Sequence, residues 1–308
     1  MIRYLKHSEI NPEKWNQAVR NSLFSPIFVE YEILDFLTGA DTWDALVQDN
    51  YDAVMPLPYR KKGVLKYVYT PFFIPQMGIF SKHKLCSENI EAFLSIVSKH
   101  FILADLLLNE KNIPEKELES ECSNTLSLQL PYNELYANFS QNTKRNLKAG
   151  EKHQCSVTIQ QEAIADIIAL FKNNKGHEEV VHFQDHDYEN LQKLSEYLLN
   201  KGLLEVYGVR TNDNRLAAGA LFVKDGNRRW FWFSGRDNAL SEGKPMFTLL
   251  NAFIRDHAET DLILDFNGSS NPNIARLYQS FGSVPHTIPF VRRYKNPFWH
   301  TLLKMLGK

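Results

Sequence analysis

Three strand-like segments lie close together in the second half of the chain, and they constrain the fold more than any other feature. They span residues 204–210, 216–224 and 229–234 and are separated by polar turns, of which Asp225-Gly226-Asn227 is a strong hairpin signal. The third segment contains Trp230-Phe-Trp-Phe233, which is apolar on both faces and is therefore expected at the centre of a sheet. The sequence predicts an antiparallel meander here.

A helix, a strand and a second helix follow this meander. Pro245 suits the first turn of a helix that starts at Gly243-Lys244, and the apolar residues after it repeat at helical spacing. Residues 262–266 indicate a buried strand parallel to the third one, which makes a β-α-β crossover. The closing helix has Asn271 as its N-cap, Pro272 at its first position and Gly282 past its end.

The remaining chain shows the same alternation of elements, more weakly in its first half. A polar and acidic stretch at 109–123 and a strand at 125–130 precede a long helix, so we place a domain boundary at residue 130 and predict domains 1–130 and 131–308. The predicted helices are 12–21, 89–100, 132–150, 163–173 and 188–200. The other predicted strands are 44–48, 53–58, 64–70, 101–108 and 156–160.

Composition excludes several classes of protein. The net charge of -1 gives no global attraction for nucleic acid or anionic lipid. Three widely spaced cysteines indicate neither a disulfide framework nor a zinc site. The first residues lack the apolar core of a secretory signal, and the apolar runs are too short for a membrane span. We therefore expect a soluble, cytoplasmic protein without stable membrane insertion; its oligomeric state is open.

Three short motifs resemble those of a known group. The closing helix is similar to the Asn-x-x-Ala-x-x-Leu-Tyr-x-x-x-Gly-Phe pattern of GNAT acyl-CoA N-acyltransferases, with Ile274 in the Ala slot and Ser283 in the Phe slot. Residues 140–149 resemble the S-x-x-T-R-x-N-I-x-K-A segment of the FemABX-like group, and Asp265-Phe-Asn-Gly-Ser269 resembles its D-F-E-G-S strand end. The resemblance implies an α/β fold with mixed sheets in two tandem GNAT-like domains. The first domain would then shape the acceptor groove.

The resemblance also implies roles for particular residues. Tyr278 matches the tyrosine that protonates the leaving thiolate, although it also fits the apolar stripe of its helix. Asp265 ends an apolar strand, where it could be a base, contact substrate or cap loop amides. The predicted donor-binding residues are Ser234, Gly235, Arg236, Gly243 and Lys244. The predicted substrate-binding residues are Asn267, Ser269 and Asn271, with Asn267 standing where relatives tend to have Glu.

Other clusters have simpler interpretations. His177, His182 and His186 lie among acidic residues, but no helix is clearly indicated there, so we predict an acceptor-side loop and no metal site. The basic and aromatic stretch at 59–69 is interpreted as a solvated hairpin tip. An amphipathic C-terminal segment, with Phe298 and Trp299, is expected to pack on the protein or at a dimer contact rather than on a membrane.

The sequence therefore predicts an N-acyltransferase of the GNAT, FemABX-like type. It would move an acyl group from acetyl-CoA or another acyl-CoA, used as co-substrate with no permanently bound cofactor, to a primary amine of a small molecule or the cell envelope. One alternative donor is aminoacyl-tRNA, for which Lys144, Arg145, Lys148 and Lys152 would form an RNA patch. Another alternative is a non-catalytic binding module that kept the fold.

Overall fold

The computed structural model describes residues 1–63, 65–113, 119–160, 162–174, 183–267 and 271–305, with side chains up to residue 301. It consists of two compact units. Unit 1 comprises Met1–Glu121 and the chain from Thr287 onward, and unit 2 comprises Cys122–His286. Strands and helices alternate in both units, so the predicted mixed α/β class is confirmed. No helix of the described ranges combines the length and the apolar character needed to cross a membrane.

Unit 1 is built on a mixed sheet with the strand order β1-β2-β3-β4-β6-β13, and β5 pairs with β3. Only β4 and β6 run parallel among these pairs. The strands are β1 (Ile2–Leu5), β2 (Trp43–Gln48), β3 (Ala53–Lys62), β4 (Leu65–Tyr69), β5 (Phe80–Ser81), β6 (Leu103–Leu107) and β13 (Val284–Tyr294). The α-helices are α1 (Pro12–Arg20), α2 (Tyr31–Thr38), α3 (Ser87–His100) and α10 (Pro297–Met305).

Unit 2 has the strand order β7-β12-β11-β10-β9-β8, which places β11 inside the sheet as predicted. The strands are β7 (Ser120–Ser127), β8 (Ser156–Ile159), β9 (Leu204–Arg210), β10 (Leu216–Asp225), β11 (Arg228–Arg236) and β12 (Ile263–Asp265). The helices are α4 (Tyr132–Ala137), α5 (Gln141–Lys152), α6 (Ile164–Asn174), α7 (Asp185–Asn200), α8 (Pro245–Asp256) and α9 (Pro272–Gln279). A 3-10 turn, Asn238–Gly243, precedes α8.

Local sequence signals explain the elements around the meander. Gly226 takes a positive φ of 54° in the β10–β11 hairpin, a conformation that favours glycine. Pro245 occupies the first position of α8, where the absence of its N–H has no cost. The Asn271 side chain accepts the Asn273 N–H at 2.9 Å and caps α9. The predicted crossover is confirmed, because β11 and β12 pair in parallel.

The structure differs from the prediction in two details. The single helix predicted at 132–150 is two helices, because Ser140 leaves the helical conformation and its side chain accepts the Thr143 N–H as the N-cap of α5. The helix α2 was not predicted; it packs its Ile33 and Leu34 into the core of unit 1.

The boundaries of the two units also differ from the single domain boundary predicted at residue 130. The chain returns to unit 1 after His286, because residues Phe290 to Tyr294 of β13 pair antiparallel with β6. Residues 122–130 lie in unit 2, where β7 pairs antiparallel with β12. Unit 1 is therefore made from two segments that are far apart in the sequence.

Close approach of α6 to the sheet holds the layers of unit 2 together. A Cβ at Gly235 would lie 2.5 Å from the Ile167 carbonyl oxygen and 2.8 Å from the Phe171 nitrogen. A Cβ at Gly219, in the neighbouring strand, would lie 2.5 Å from the Ile167 side chain. Both glycines thus allow α6 to lie directly on the sheet.

Candidate active site

The sheet of unit 2 opens between its two parallel strands. β12 pairs with β11 over three residues only, ending at the pair between Trp230 and Asp265. By contrast, β11 pairs with β10 along its whole length to Arg236. The part of β11 from Phe231 to Arg236 therefore extends past its last pair with β12. Ligands of parallel sheets gather at such strand ends.

Tyr278 lies at the point where the two strands separate. Its ring stacks on Phe266, the first residue after β12, with centroids 4.6 Å apart, and meets Phe231 edge-on at 5.9 Å. The side chain is 9% exposed, and burial raises the pKa of its hydroxyl above the usual value. The hydroxyl is thus protonated at neutral pH. The ring packs in the core, as the apolar stripe of its helix predicts, and the catalytic role of the hydroxyl stays a prediction.

Asp265 is fully buried and its carboxylate is occupied. Arg228 Nη1 donates to Oδ2 at 2.6 Å, and the Asn267 N–H donates to Oδ1 at 2.9 Å. The Ser123 hydroxyl donates to Oδ1 at 3.3 Å. These contacts join the last residue of β12 to the first residue of β11 and to the middle of β7, and they supply the partners that a buried carboxylate requires.

The other predicted substrate residues surround the connection from β12 to α9. Asn267 adopts a left-handed conformation with a φ of 58°. The Asn271 side chain is engaged as the N-cap of α9. Ser269 lies outside the described residues. The structure thus assigns structural contacts to Asp265 and Asn271, and their part in substrate binding stays a prediction.

The predicted donor residues fall into two groups. Ser234, Gly235 and Arg236 form the end of β11, with Arg236 exposed and Gly235 buried beneath α6. Gly243 and Lys244 immediately precede α8; Lys244 is exposed and takes a left-handed conformation.

The start of α8 has few amides directed at a ligand. Pro245 has no N–H, and the amides of Phe247 and Thr248 donate to the Lys244 carbonyl. Two of the predicted donor residues, Arg236 and Lys244, are exposed cations, and their contact with a donor pyrophosphate stays a prediction.

A cavity of about 510 Å³ lies on one side of the Asn238–Gly243 turn. Cys155 lines this cavity next to Gly243, and its thiol donates to the Gly243 carbonyl at 3.9 Å. Burial raises the pKa of the thiol. Gly243 is the one predicted donor residue in its wall, which also contains His153, Asp213 and Arg215.

The structure describes part of the predicted histidine cluster and all of the predicted basic patch on α5. His177 and His182 lie outside the described residues, whereas His186 contacts the Asp187 carboxylate at 3.3 Å. Over the described ranges, no three metal-binding side chains form a group. On α5, the side chains of Arg145, Lys148 and Lys152 are exposed. Lys144 is turned back and donates to the Ala137 carbonyl at 2.9 Å.

Arg228 and Ser123 were not among the predicted site residues. Arg228 begins an apolar strand directly after the Asp225-Gly226-Asn227 turn, and an arginine in that position is the signal that could have revealed a buried acidic partner. Ser123 gave no signal, because its partner is 142 residues away in the chain.

Comparisons with known proteins agree with this architecture. Residues 137–272 match the model of the acetyltransferase (GNAT) domain. The chain is similar to the crystal structure of FemX, with a TM-score of 0.64 and 11% identity over 97% of this chain and 99% of that one. A conserved protein of unknown function from Bacteroides thetaiotaomicron VPI-5482 gives a TM-score of 0.60 and 10% identity over 96% and 100% of the two chains. L-PGS from Bacillus licheniformis gives 0.55 and 10% over 97% and 98%.

A comparison with curated protein sequences finds no significant match. The solved structures share the fold over nearly the whole chain, which confirms the predicted arrangement of two GNAT-like domains. The matched domain contains the meander, the Asn238–Gly243 turn, α8 and β12, which are the elements around the opening in the sheet. Residues 137–272 therefore match the acetyltransferase (GNAT) domain, and the chain as a whole shares its fold with FemX.

Proposed function

We propose that unit 2 transfers an acyl group from an acyl-CoA-type thioester to a primary amine. The observation that carries this proposal is the opening between β11 and β12, with the Tyr278 ring against Phe231 at the point of separation. Past that point, β11 offers an extended backbone beside which the thioester arm of the donor can lie. A preorganised amide of the strand would polarise the thioester carbonyl.

The reaction forms one bond and breaks another. The amine nitrogen attacks the thioester carbonyl carbon, and the tetrahedral intermediate collapses by breaking the C–S bond. The electron pair leaves with sulfur, which takes up a proton to become a thiol. The nitrogen gives up its extra proton to solvent. Binding both reactants in one crevice lowers the barrier through proximity and orientation.

We assign the proton donor to Tyr278. Burial raises the pKa of its hydroxyl, so the hydroxyl is protonated at neutral pH. Among the described residues, the hydroxyl has no hydrogen-bond partner. It can therefore direct its O–H toward the departing sulfur. For Asp265 we propose positioning rather than base catalysis, since Arg228, Ser123 and the Asn267 amide already contact the carboxylate.

Aminoacyl-tRNA is a second candidate donor, favoured by the exposed cations on α5. Arg145, Lys148 and Lys152 recur every three or four residues and so share one face of the helix. A row of exposed cations at this spacing can follow a phosphate backbone, and such binding weakens steeply with salt.

The donor is identified by thermal unfolding of the full chain with coenzyme A, acetyl-CoA or aminoacyl-tRNA. A ligand at about 100 times its dissociation constant stabilises the folded protein by about 2.7 kcal/mol. An upward shift with acetyl-CoA supports the thioester donor. A shift with RNA alone, which is abolished by replacing Arg145 and Lys148 with Gln, supports the alternative. No shift with either ligand favours the non-catalytic module.

Replacement of Tyr278 by Phe tests the assigned acid. We expect kcat to fall about 100-fold with little change in KM or in the melting temperature, because only a hydroxyl without a described partner is lost. Tyr207→Phe is the matched control: Tyr207 is also buried, but its hydroxyl donates to Asp256 at 3.2 Å, so that variant should lose stability and keep its kcat. Unchanged kcat in Tyr278→Phe would contradict the assignment.

A further inference from the structure

The segment after Thr287 has an unusual distribution of charge. Residues 287–308 contain five basic residues and neither aspartate nor glutamate, although the whole chain is nearly neutral. The basic residues are Arg292, Arg293, Lys295, Lys304 and Lys308. In the structure this segment forms the end of β13 and then α10.

An aromatic side chain on α10 is left in solvent. Phe298 is 64% exposed, so its side chain does not pack on the protein, which was one of its two predicted environments; the other, a dimer contact, stays a prediction. Its ring contacts Trp299, which is partly buried, with centroids 5.4 Å apart. In the sequence, further apolar residues follow at positions 302, 303 and 305.

Part of the positive charge is neutralised within unit 1. Arg292 pairs with Asp105 at 2.8 Å, and Arg293 pairs with Glu91. These two arginines therefore hold β13 to its neighbours. Positive charge that is available to a binding partner must therefore come from other residues.

Lys295 and Lys99 supply that charge at the base of α10. Both are exposed, and the Lys295 amide donates to the Ile102 carbonyl at 3.0 Å, which anchors the start of α10 next to the end of α3. The effect of these charges is visible on His100. Burial lowers its pKa, and Lys295, Lys99 and Lys66 lower it further, against an opposing effect of Asp44.

We propose that α10 docks on the surface of membranes that contain anionic lipid. Phe298 inserts among the acyl chains, while Lys295 and Lys99 face the headgroups. An exposed aromatic beside lysines, on an amphipathic helix too short to span a bilayer, fits an interfacial helix. Lipid is favoured over RNA because the sequence of α10 is largely apolar, whereas RNA contacts require cations and stacking rings. The proposal is independent of the donor and of catalysis.

The test measures cosedimentation of the full-length protein with vesicles of phosphatidylcholine, alone or mixed with phosphatidylglycerol. We expect binding to the mixed vesicles, weaker binding in high salt and little binding to phosphatidylcholine alone. Phe298→Ser should lower the partition coefficient about 10-fold or more. Lys295→Gln should lower it about five-fold, which is the effect of one basic residue near an anionic surface.

Matched variants separate docking from other effects. Phe298→Trp should retain binding, because tryptophan also suits the interface. Leu23→Ser removes another exposed apolar residue of unit 1, 53% exposed, and should not change binding. Both Phe298 variants should keep the wild-type melting temperature, since the side chain is mostly in solvent.

Three results would overturn the proposal. The first is no binding to mixed vesicles. The second is binding that Phe298→Ser leaves unchanged. The third is that Phe298→Ser keeps its vesicle binding but loses another interaction. That interaction is either self-association, measured by sedimentation velocity, or RNA binding. Either form of this last result would assign α10 to a second copy of the chain or to nucleic acid.

Discussion

The ion pair between Arg228 and Asp265 fixes the end of β12 where the sheet opens. Asp265 is 0% exposed, so removing Arg228 takes the opposite charge away from a buried carboxylate. We expect Arg228→Met to lower the free energy of unfolding by about 3 kcal/mol. Urea denaturation of the purified variant measures this loss.

Two further variants control that experiment. Arg215→Met removes the ion pair with Asp213, in which the two side chains are 61% and 54% exposed, and it should cost far less stability than Arg228→Met. Combining Arg228→Met with Asp265→Asn should restore part of the lost stability, because no buried charge remains. Equal losses in Arg215→Met and Arg228→Met would contradict a special contribution of the buried pair.

A second pair of residues, His257 and Glu205, makes stability depend on pH. His257 Nε2 lies 2.9 Å from Glu205, and Nδ1 lies 2.9 Å from the Phe253 carbonyl. Burial lowers the pKa of His257, but these two hydrogen bonds and the Glu205 charge outweigh it, so the net pKa is raised. Burial also raises the pKa of Glu205, and contacts with His257, Lys224 and Arg229 reverse this to a net lowering.

The signs of these shifts define the expected pH profile. The His257 contribution is complete below about pH 6.5 and is lost as the pH rises through the folded-state pKa. The Glu205 contribution is present above about pH 4.5 and is lost as the pH falls.

We therefore expect wild type to lose its advantage over His257→Gln as the pH rises from 6 to 9, by about 1.4 kcal/mol per unit of pKa difference between the folded and unfolded states. Denaturation midpoints of both proteins across this range measure the effect. Parallel profiles would exclude a charged His257.

At the scale of elements, the packing of α5 on α8 determines the position of the loop before α8. A Cβ at Gly150 would lie 2.4 Å from Thr248 Oγ1 and 3.2 Å from the Gly243 carbonyl oxygen. Helix propensity alone predicts that Gly150→Ala stabilises the protein by about 1 kcal/mol. We expect the opposite, a loss of about 1 kcal/mol, because the added methyl pushes the two helices apart.

The same variant connects packing to donor binding. Because Gly243 and Lys244 move with the start of α8, Gly150→Ala should also raise the KM for the donor. Adding Thr248→Ala removes the closer of the two contacts and should recover most of the stability. Differential denaturation of the two variants checks this, and a stabilised Gly150→Ala would refute the close contact.

Elements with local signals could be predicted, and those that depend on distant contacts could not. Asn271, Pro272 and Gly282 act through their own backbone and immediate neighbours, so the bounds of α9 were readable from the sequence. The break at Ser140 has a different origin. Its N–H donates to the Ser280 carbonyl, and Thr143 Oγ1 donates to the same oxygen, so α5 begins where the turn after α9 meets it. No pattern within residues 132–150 contains that information.

The same reasoning applies to the site. Tyr278 and Asp265 could be identified from a motif and from a lone carboxylate in an apolar strand. Arg228 offered a signal through its place at the start of an apolar strand, but its partner could not be identified from the sequence. Parallel pairing and the β7–β12 register bring Arg228 and Ser123 to Asp265 across long stretches of chain. Residue type shows that a buried carboxylate needs partners, whereas only the topology identifies them.

At the scale of the whole molecule, the two units differ in how the chain builds them. The apolar core of unit 2 contains residues from Leu126 to Phe281 without interruption by the other unit. Unit 1 instead needs β13, which pairs with β6 through Phe290 to Tyr294. The prediction of a single boundary at residue 130 missed this return of the chain, because the partner of β13 is more than half the sequence away.

This difference predicts how fragments fold. Residues 122–286, expressed alone, should unfold cooperatively in urea, since their core is complete. Residues 1–121 should not, because β6 loses a neighbour and exposes an apolar edge. The Phe290 N–H donates to the Glu119 carbonyl at 2.8 Å, so a short Gly/Ser linker can join residue 121 to residue 287. That fusion should recover a cooperative transition. If residues 1–121 fold equally well without residues 287–308, β13 is dispensable and unit 1 is complete in its first segment.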